Sequence, residues 1–461
     1  MLGTLDTLLA AERSPESIVA YRGKQALTLG MLRQDVARLA HWLGQQPGPK
    51  PGLHSRWALC FTDSYHFAVA LLACGYTGCH VVLPGHHRPA QLLALAPHFD
   101  AVLSDTLQPD EVSVPLYSWP SAAAFEGAIP VLPEWPAPLG LTLFTSGSTG
   151  EPKAIIKRQQ QLEAEVVELY RLWQSELQGC VVRSTVAHHH IYGLLFRLLL
   201  PLCAALPFEA EDLAFPEQLL AAVDGKTWWL ISSPAFLSRL DPALTASGCA
   251  GIVSSGGALG RPAAALAAAL YGVWPIEIYG SSETGGVAWR RQQGAEPHWW
   301  SPLPGVTLSV DEAGALQVSS RFLPDEAYWQ TADRVELGTE GFLLLGRQDR
   351  IVKLAEKRVS LDEIEQRLCA HEWITQAAAL VLEGPRRSEV AVVVTLTAEG
   401  DQHWQRLGQG RFLIQLRQAL RPYLEAVALP RRIRRLERLP LNAQGKRPYL
   451  QFKELFYVAE A

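Results

Sequence analysis

Residues 143–153 read LFTSGSTGEPK, a run in which small residues and hydroxyls precede a lysine. Backbone N–H groups can crowd around an anion where side chains are small. The hydroxyls of Thr145, Ser146, Ser148 and Thr149 add donors and Lys153 adds a point charge, so the chemistry indicated is phosphate binding. The run is not a Walker A loop, which needs G-x-x-x-x-G-K-[ST]. Here Gly147 and Gly150 are three positions apart, Lys153 follows Glu151 and Pro152, and Ala154 stands where a magnesium-binding hydroxyl belongs. A second cluster is AHHHIYGLLF at 187–196, with three consecutive histidines. On a strand, neighbouring side chains point to opposite faces and cannot all reach one ion, and no Cys or carboxylate is nearby, so zinc is disfavoured.

The elements that must position these groups belong to a globular protein. The 461 residues exceed what one hydrophobic core supports, so at least two domains are expected. With 48% hydrophobic and 19% charged residues there is ample apolar surface to bury, and a net charge of −5 does not suggest a nucleic-acid binder. Seven cysteines form an odd set with no C-x-x-C pair, which indicates neither a disulfide framework nor a zinc cage. The N-terminus has no basic segment ahead of its short apolar run and reaches Asp6, Glu12 and Arg13 quickly, unlike a signal peptide. The most membrane-like run, residues 191–208, is interrupted by Arg197, Pro201 and Pro207, so it reads as core. A cytoplasmic protein without membrane insertion is expected.

Short apolar runs at 57–61, 80–83 and 101–105 alternate with helix-like stretches such as 65–75, the pattern of a doubly wound α/β layer. AIIK at 154–157 reads as a strand, and Leu162, Val166, Leu169, Tyr170 and Trp173 recur at helical spacing behind it. Strand-like runs return at 227–233, 251–255 and 275–280. Past residue 300, VTLSVDEAGALQVSS pairs two alternating runs across an Asp-Glu-Ala-Gly turn, a hairpin signature. After GFLLLG at 341–346 comes a smaller unit: a helix (SLDEIEQRLCA), two strands (AAALVL and EVAVVVTL), a helix (GRFLIQLRQAL) and a basic tail.

Four stretches in this order, LFTSGSTGEPK (143–153), YGSSETGG (279–286), TADRVEL with GFLLLGRQDR (331–350) and LPLNAQGKRPY (439–449), resemble the successive signature motifs of the adenylate-forming superfamily. That superfamily contains acyl-CoA synthetases, aryl-acid ligases, nonribosomal adenylation domains and luciferases. The resemblance implies an α/β multidomain fold: residues 1–348 as an N-terminal adenylation domain with doubly wound sheets and a β-rich subdomain, and 349–461 as a small mobile C-terminal α+β domain, hinged at Asp349. It implies that Thr145 to Gly150 and Lys153 hold the β- and γ-phosphates of ATP. Tyr279 and Gly280 would lie along adenine, with Gly256, Gly257 and Ala258 of SSGGALG beside it. Thr284 would contact the α-phosphate and Glu283 would hold Mg²⁺, for which a hard oxygen ligand suits. Asp333, assisted by Arg347, would accept from both ribose hydroxyls. His190 would border the acyl site, and Lys446 would bridge the substrate carboxylate and the α-phosphate, where two anions must meet.

The implied activity is ATP-dependent activation of a carboxylic acid to an acyl-adenylate, then transfer to a phosphopantetheine thiol. An acyl carrier protein is the favoured acceptor, with free CoA the alternative; a non-catalytic nucleotide-binding relative is the reading from another class. The absence of an aspartate near His190 favours a simple acid over an α-amino acid, and a narrower resemblance to small ligases of bacterial aryl-polyene pathways favours an aryl acid. PRRIRRLERLP at 430–440 carries five arginines, either a solvated strand face or a patch for an acidic carrier or the phosphates of CoA. Two positions depart from the family pattern. Ala332 replaces a usual glycine, and Glu356 stands where a glycine is usual and would narrow or adapt the thiol tunnel.

Overall fold

Strands buried on both faces read as unbroken apolar runs, and the helices between them need apolar faces of their own. The helix Ser64–Tyr76 is the extreme case: Asp63 caps it by accepting from the His66 N–H, and almost every side chain along it is buried. The computed structural model describes residues 2–9, 13–46, 55–119, 128–146, 152–220, 225–295, 297–323, 328–354, 357–383, 388–441, 447 and 449–457. Two compact units result, one of residues 1–307 and 318–329, the other of 308–317 and 330–461.

The first unit holds two sheets. A six-stranded sheet runs in the order Leu116–Ser118, Ala101–Ser104, Arg56–Cys60, His80–Leu83, Gly140–Ser146, Pro152–Arg158. All neighbours are parallel except the last pair, an antiparallel hairpin whose register sets Thr145 opposite Lys153. The nine-stranded sheet runs from Ser301–Pro302 through Gly285–Arg291, Ile276–Ser281, Cys249–Ser254, Trp228–Ser232, Val181–Ser184, Phe208–Glu209 and Ile18–Arg22 to Gln25–Thr28. The helix Gln159–Leu177 follows the phosphate-loop hairpin at once, and its Leu162, Val166, Leu169 and Trp173 are buried as the periodicity expects. Trp173 packs against Phe196 and Trp229.

The apolar run 191–208 is core. It is helical as far as Cys203, with a wider π turn over Leu194–Leu199, and it carries a fully buried Arg197. The guanidinium donates to the carbonyls of Val186 (2.9 Å) and Ala210 (3.1 Å) and pairs with Asp212. The charge is thus spent on backbone acceptors left open where the chain is irregular. Among the described residues no helix is long and apolar enough to cross a membrane.

The second unit carries a four-stranded sheet ordered Val306–Val310, Ala315–Ser320, Trp329–Leu337, Phe342–Arg347, whose first strand begins, second ends and third begins at residues grouped with the first unit. The expected hairpin turn is present: the Asp311 N–H donates to Ala315 O and Gly314 has φ 77°. Beyond it, Ile374–Leu382, Glu389–Leu396 and Arg432–Arg435 form a sheet packed by Leu361–Cys369 and Ala398–Leu420. The expected boundary at residues 348 and 349 falls within this unit, on the short turn Gln348–Arg350.

Replacing Arg197 by Met would remove one of two donors from each of the Val186 and Ala210 carbonyls, which Ser184 Oγ and the Ser64 N–H also serve, and would leave the half-exposed Asp212 without its partner. We expect a loss of about 2 kcal/mol of unfolding free energy, read by chemical denaturation. A change below about 0.5 kcal/mol, the size usual for a surface position, would show that the guanidinium holds nothing in place.

Candidate active site

The segment 279–286 is a tight turn whose shape its own residues dictate. Thr284, buried at 2% exposure, accepts from the Ser281 N–H (3.0 Å) and donates to Gly285 O (2.8 Å). An α-phosphate contact by this hydroxyl therefore requires it to turn away from Gly285. A Cβ on Gly280 would meet Gly285 O at 2.2 Å, and Gly285 has φ +70°, so both glycines are obligatory there.

Two lysines from the strand Pro152–Arg158 reach this turn. Lys153 Nζ donates to Glu283 Oε1 at 2.9 Å and lies 5.3 Å from the Trp329 ring centroid. Lys157 is buried at 2% exposure, and its Nζ donates to Glu283 O (2.8 Å) and Phe322 O (2.9 Å). Burial pushes the Lys157 ammonium below its ordinary value, against the pull of Glu165 and Glu283. For the Glu283 carboxyl, burial acts upward, but bonds led by that from Lys153 outweigh it and hold the group below the usual carboxylate range. Lys153 already occupies Oε1, and no group of three His, Cys, Asp or Glu able to hold a metal ion gathers among the described residues, so Mg²⁺ at this carboxylate would have to displace Lys153 or use Oε2 and draw its other oxygens from phosphate and water.

Beneath the turn lies Glu165, also 2% exposed, on the helix that follows the hairpin. Its Oε1 accepts from the Gly286 N–H at 2.7 Å, and a Cβ on Gly285 would come within 2.3 Å of its Oε2. Burial raises the Glu165 carboxyl to about 7, opposed by the Gly286 bond and by Lys157. Neither Lys157 nor Glu165 was singled out from the sequence. The available signal was an acid on the apolar stripe, three residues past Leu162 and one before Val166.

Tyr279 is half-buried, its ring 5.7 Å from that of Trp300. The Arg290 guanidinium lies over Trp300 at 4.3 Å and forks onto Glu277 at 2.9 and 3.1 Å. Gln292 ties Glu277 to Leu259 O, both at 2.8 Å, which couples this strand to the segment 256–258. Ser255 adds a bond to Ile278 O at 2.9 Å. Gly256, Gly257 and Ala258 themselves are exposed, and Gly256 has φ 86°. Loop and strand are thus pinned together with a small-residue face open to solvent.

The three histidines lie in a turn ahead of a helix, which corrects the strand on which zinc was disfavoured. The turn is forced by Gly193, where a Cβ would lie 1.9 Å from Ala187 O. His188 is buried and takes both a Ser64 hydroxyl (2.7 Å) and Phe61 O (3.0 Å), which assigns its proton to Nε2. His189 and His190 join His86 and His87 in a ring cluster, with His87 and His189 centroids 4.8 Å apart. Burial drives His188 and His189 well below the ordinary imidazole value and His87 down to about 4, so these three rings are neutral at pH 7. The backbone at Gly85 joins this cluster to the phosphate-loop strand: a Cβ there would meet Phe144 O at 2.7 Å and His190 Cε1 at 3.9 Å.

In the second unit Asp333 and Arg347 face each other across an antiparallel pair, Nη1 to Oδ1 at 3.5 Å. The Arg347 N–H donates to Asp362 (3.0 Å). Three of the five arginines of 430–440 have structural partners: Arg432 with Glu389 and Arg435 with Asp401, each at 2.9 Å, and Arg434 on Leu455 O at 3.1 Å. Gly147, Ser148, Thr149, Gly150, Glu356 and Lys446 lie outside the described residues, as do the side chains of Ser146 and Asp349.

A family model described as "AMP-binding enzyme" matches residues 9–319, about two thirds of the chain. The chain belongs to the AMP-binding enzyme family. Among curated relatives of this family member, an L-proline–[L-prolyl-carrier protein] ligase of Streptomyces coelicolor is 28% identical, over 84% of this chain and 76% of the relative. A 4-coumarate–CoA ligase of Rhodobacter capsulatus is 30% identical over 66% of this chain and 73% of its own. ATP-bound MatB from Rhodopseudomonas palustris shares the fold at TM-score 0.83 and 18% identity, each chain covered to 99%.

The Glu165 carboxyl is raised from 4.5 to about 7, so the unfolded chain loses this proton first. Wild type should therefore lose stability as pH rises through that window, whereas Glu165→Gln has no proton to lose. The variant should gain on wild type by up to about 3 kcal/mol between those values and hold that gain above them, read by unfolding midpoints across pH. Parallel pH profiles for the two proteins would show instead that the buried carboxyl is ionised throughout.

Proposed function

We propose that this AMP-binding enzyme activates a carboxylic acid with ATP and passes the acyl group to a phosphopantetheine thiol. The observation that carries the reading is the contact of Lys153 with Glu283, which gathers the phosphate-loop strand and a metal-binding carboxylate 130 residues apart into one place. A substrate carboxylate oxygen attacks the α-phosphorus, the bond to the β-phosphate bridge breaks, and pyrophosphate leaves. Lys153 and the loop 145–150 hold that leaving group, Glu283 takes Mg²⁺, and Asp333 with Arg347 takes the ribose. Bound at Glu283, Mg²⁺ supplies charge neutralisation on the phosphate oxygens. Lys446 meets the two anions as they join, and the part of the chain beyond Asp349 turns to present first Lys446 and then the Glu356 region. In the second step the thiol sulfur attacks the acyl carbon and AMP departs.

An acyl carrier protein is the acceptor we favour, and the relative aligned over most of the chain carries such a partner in its name. The 30%-identical relative named for CoA supports the alternative acceptor. The neutral imidazole walls around His190 suit a flat, uncharged acyl group, so an aryl acid is favoured. L-Proline, the acid in the name of the carrier-protein relative, is disfavoured, because residues 187–196 offer no carboxylate for its ammonium.

ATP–pyrophosphate exchange over a panel of aryl, fatty and amino acids tests the reading, followed by mass detection of the loaded carrier or CoA thioester. We expect exchange with an aryl acid and a loss of about 10²-fold or more in Lys446→Ala. Absence of exchange across the panel in wild type would sink the ligase reading; exchange that survives Lys446→Ala would remove only the role given to that lysine.

A further inference from the structure

Lys157 and Glu165 are ionisable groups in the interior that no step of the reaction above employs. Removing such groups from water is costly, and both are tied to main-chain atoms of one short segment, with Lys157 bonded to Phe322 O as well. Lys157 holds Glu283 O and Phe322 O, and Glu165 holds the Gly286 N–H. The stretch 283–286 is therefore gripped at both ends, at the carbonyl of the metal-binding residue and at the amide three residues on. Glu165 also fills the space that side chains at 285 and 286 would take, with its oxygens 2.3 and 3.0 Å from the respective Cβ positions. Thr284 lies between the two grips, its hydroxyl turned within the segment.

We propose that Lys157 and Glu165 are positioning residues for adenylate formation, a paired buried clamp that sets the Glu283 carboxylate and Thr284 for Mg²⁺ and the α-phosphate. The proposal rests on the reading of Glu283 and Thr284 given above. The two groups act through the turn and touch neither substrate. Lys153 and Lys157 divide the work on Glu283: the first faces its carboxylate, the second fixes its backbone.

The test uses the full chain and MgATP binding by calorimetry at graded Mg²⁺, with exchange kinetics on an accepted acid as a second readout. Lys157→Met and Glu165→Leu keep the bulk and remove the bonds, whereas Glu165→Gln keeps an acceptor for Gly286. For both bond-removing variants we expect a half-saturating Mg²⁺ raised about tenfold or more and an exchange kcat lowered about 30-fold or more. The KM for the acid should stay within about twofold, and Glu165→Gln should retain most of the wild-type values at neutral pH. Should Lys157→Met fail to fold, Lys157→Gln, which retains one donor, replaces it. Folded variants with wild-type Mg²⁺ titrations and kcat would overturn the clamp, as would losses confined to the KM for the acid. Glu283→Ala separates the two readings: an unchanged Mg²⁺ requirement there overturns the metal role of Glu283, and wild type that binds MgATP without exchange overturns the ligase reading while binding still reports on the clamp.

Discussion

A carboxylate and a triphosphate repel each other, and a fold that joins them must have its cations and donors in place before either arrives. On the function proposed above, that requirement falls on Glu283. Its carboxylate answers to Lys153, its carbonyl to Lys157, and the segment it belongs to is shaped by the close approach of Gly280 to Gly285 and by Thr284, whose hydroxyl takes the Ser281 N–H and bonds Gly285 O. Flanking architecture serves the same end. The Glu277, Arg290, Gln292 and Trp300 network stiffens the strand that leads into the turn, and Ser255 binds the neighbouring loop to it.

The charges of the interior share one style of satisfaction. Arg197, Arg183 and Lys157 each place donors on main-chain carbonyls of irregular segments and not only on acidic side chains. A carbonyl has room for two donors, and where the chain leaves its ladders the long cationic side chains supply one of them, alongside the Ser64 N–H at Ala210 O and Ser184 Oγ at Val186 O. The same logic accounts for an arginine in the apolar stretch 191–208, where hydropathy alone would argue against one.

Much of the architecture was legible because its signals are local. Apolar runs at 57–61, 80–83 and 101–105 became parallel strands, the stripe from Leu162 to Trp173 became a buried helix face, and the Asp-Glu-Ala-Gly turn became a hairpin. Lys153, Glu283, Thr284 and Tyr279 were named from the motifs, and the structure brings Lys153 onto Glu283 in the turn that also holds Thr284. The histidines were misjudged as strand because the feature that bends them, the approach of Gly193 to Ala187 O, joins atoms through space with no periodic trace. Lys157 hid inside AIIK, where a charge on a strand ordinarily means an exposed face, and Glu165 hid among the many acids of its helix. Both derive their meaning from atoms more than a hundred residues away.

The strand Pro152–Arg158 has one further consequence. Alternate side chains share a face, so Lys153, Ile155 and Lys157 lie on one side, Ile155 and Lys157 buried and Lys153 exposed at the strand's start, while Ile156 on the other side is 64% exposed. One residue more or fewer between the two lysines would swing Lys157 to the opposite face and leave the phosphate-loop sequence itself untouched. The interval from the loop lysine to the buried one is therefore part of the motif in the physical sense, although nothing in its letters, AII, advertises it.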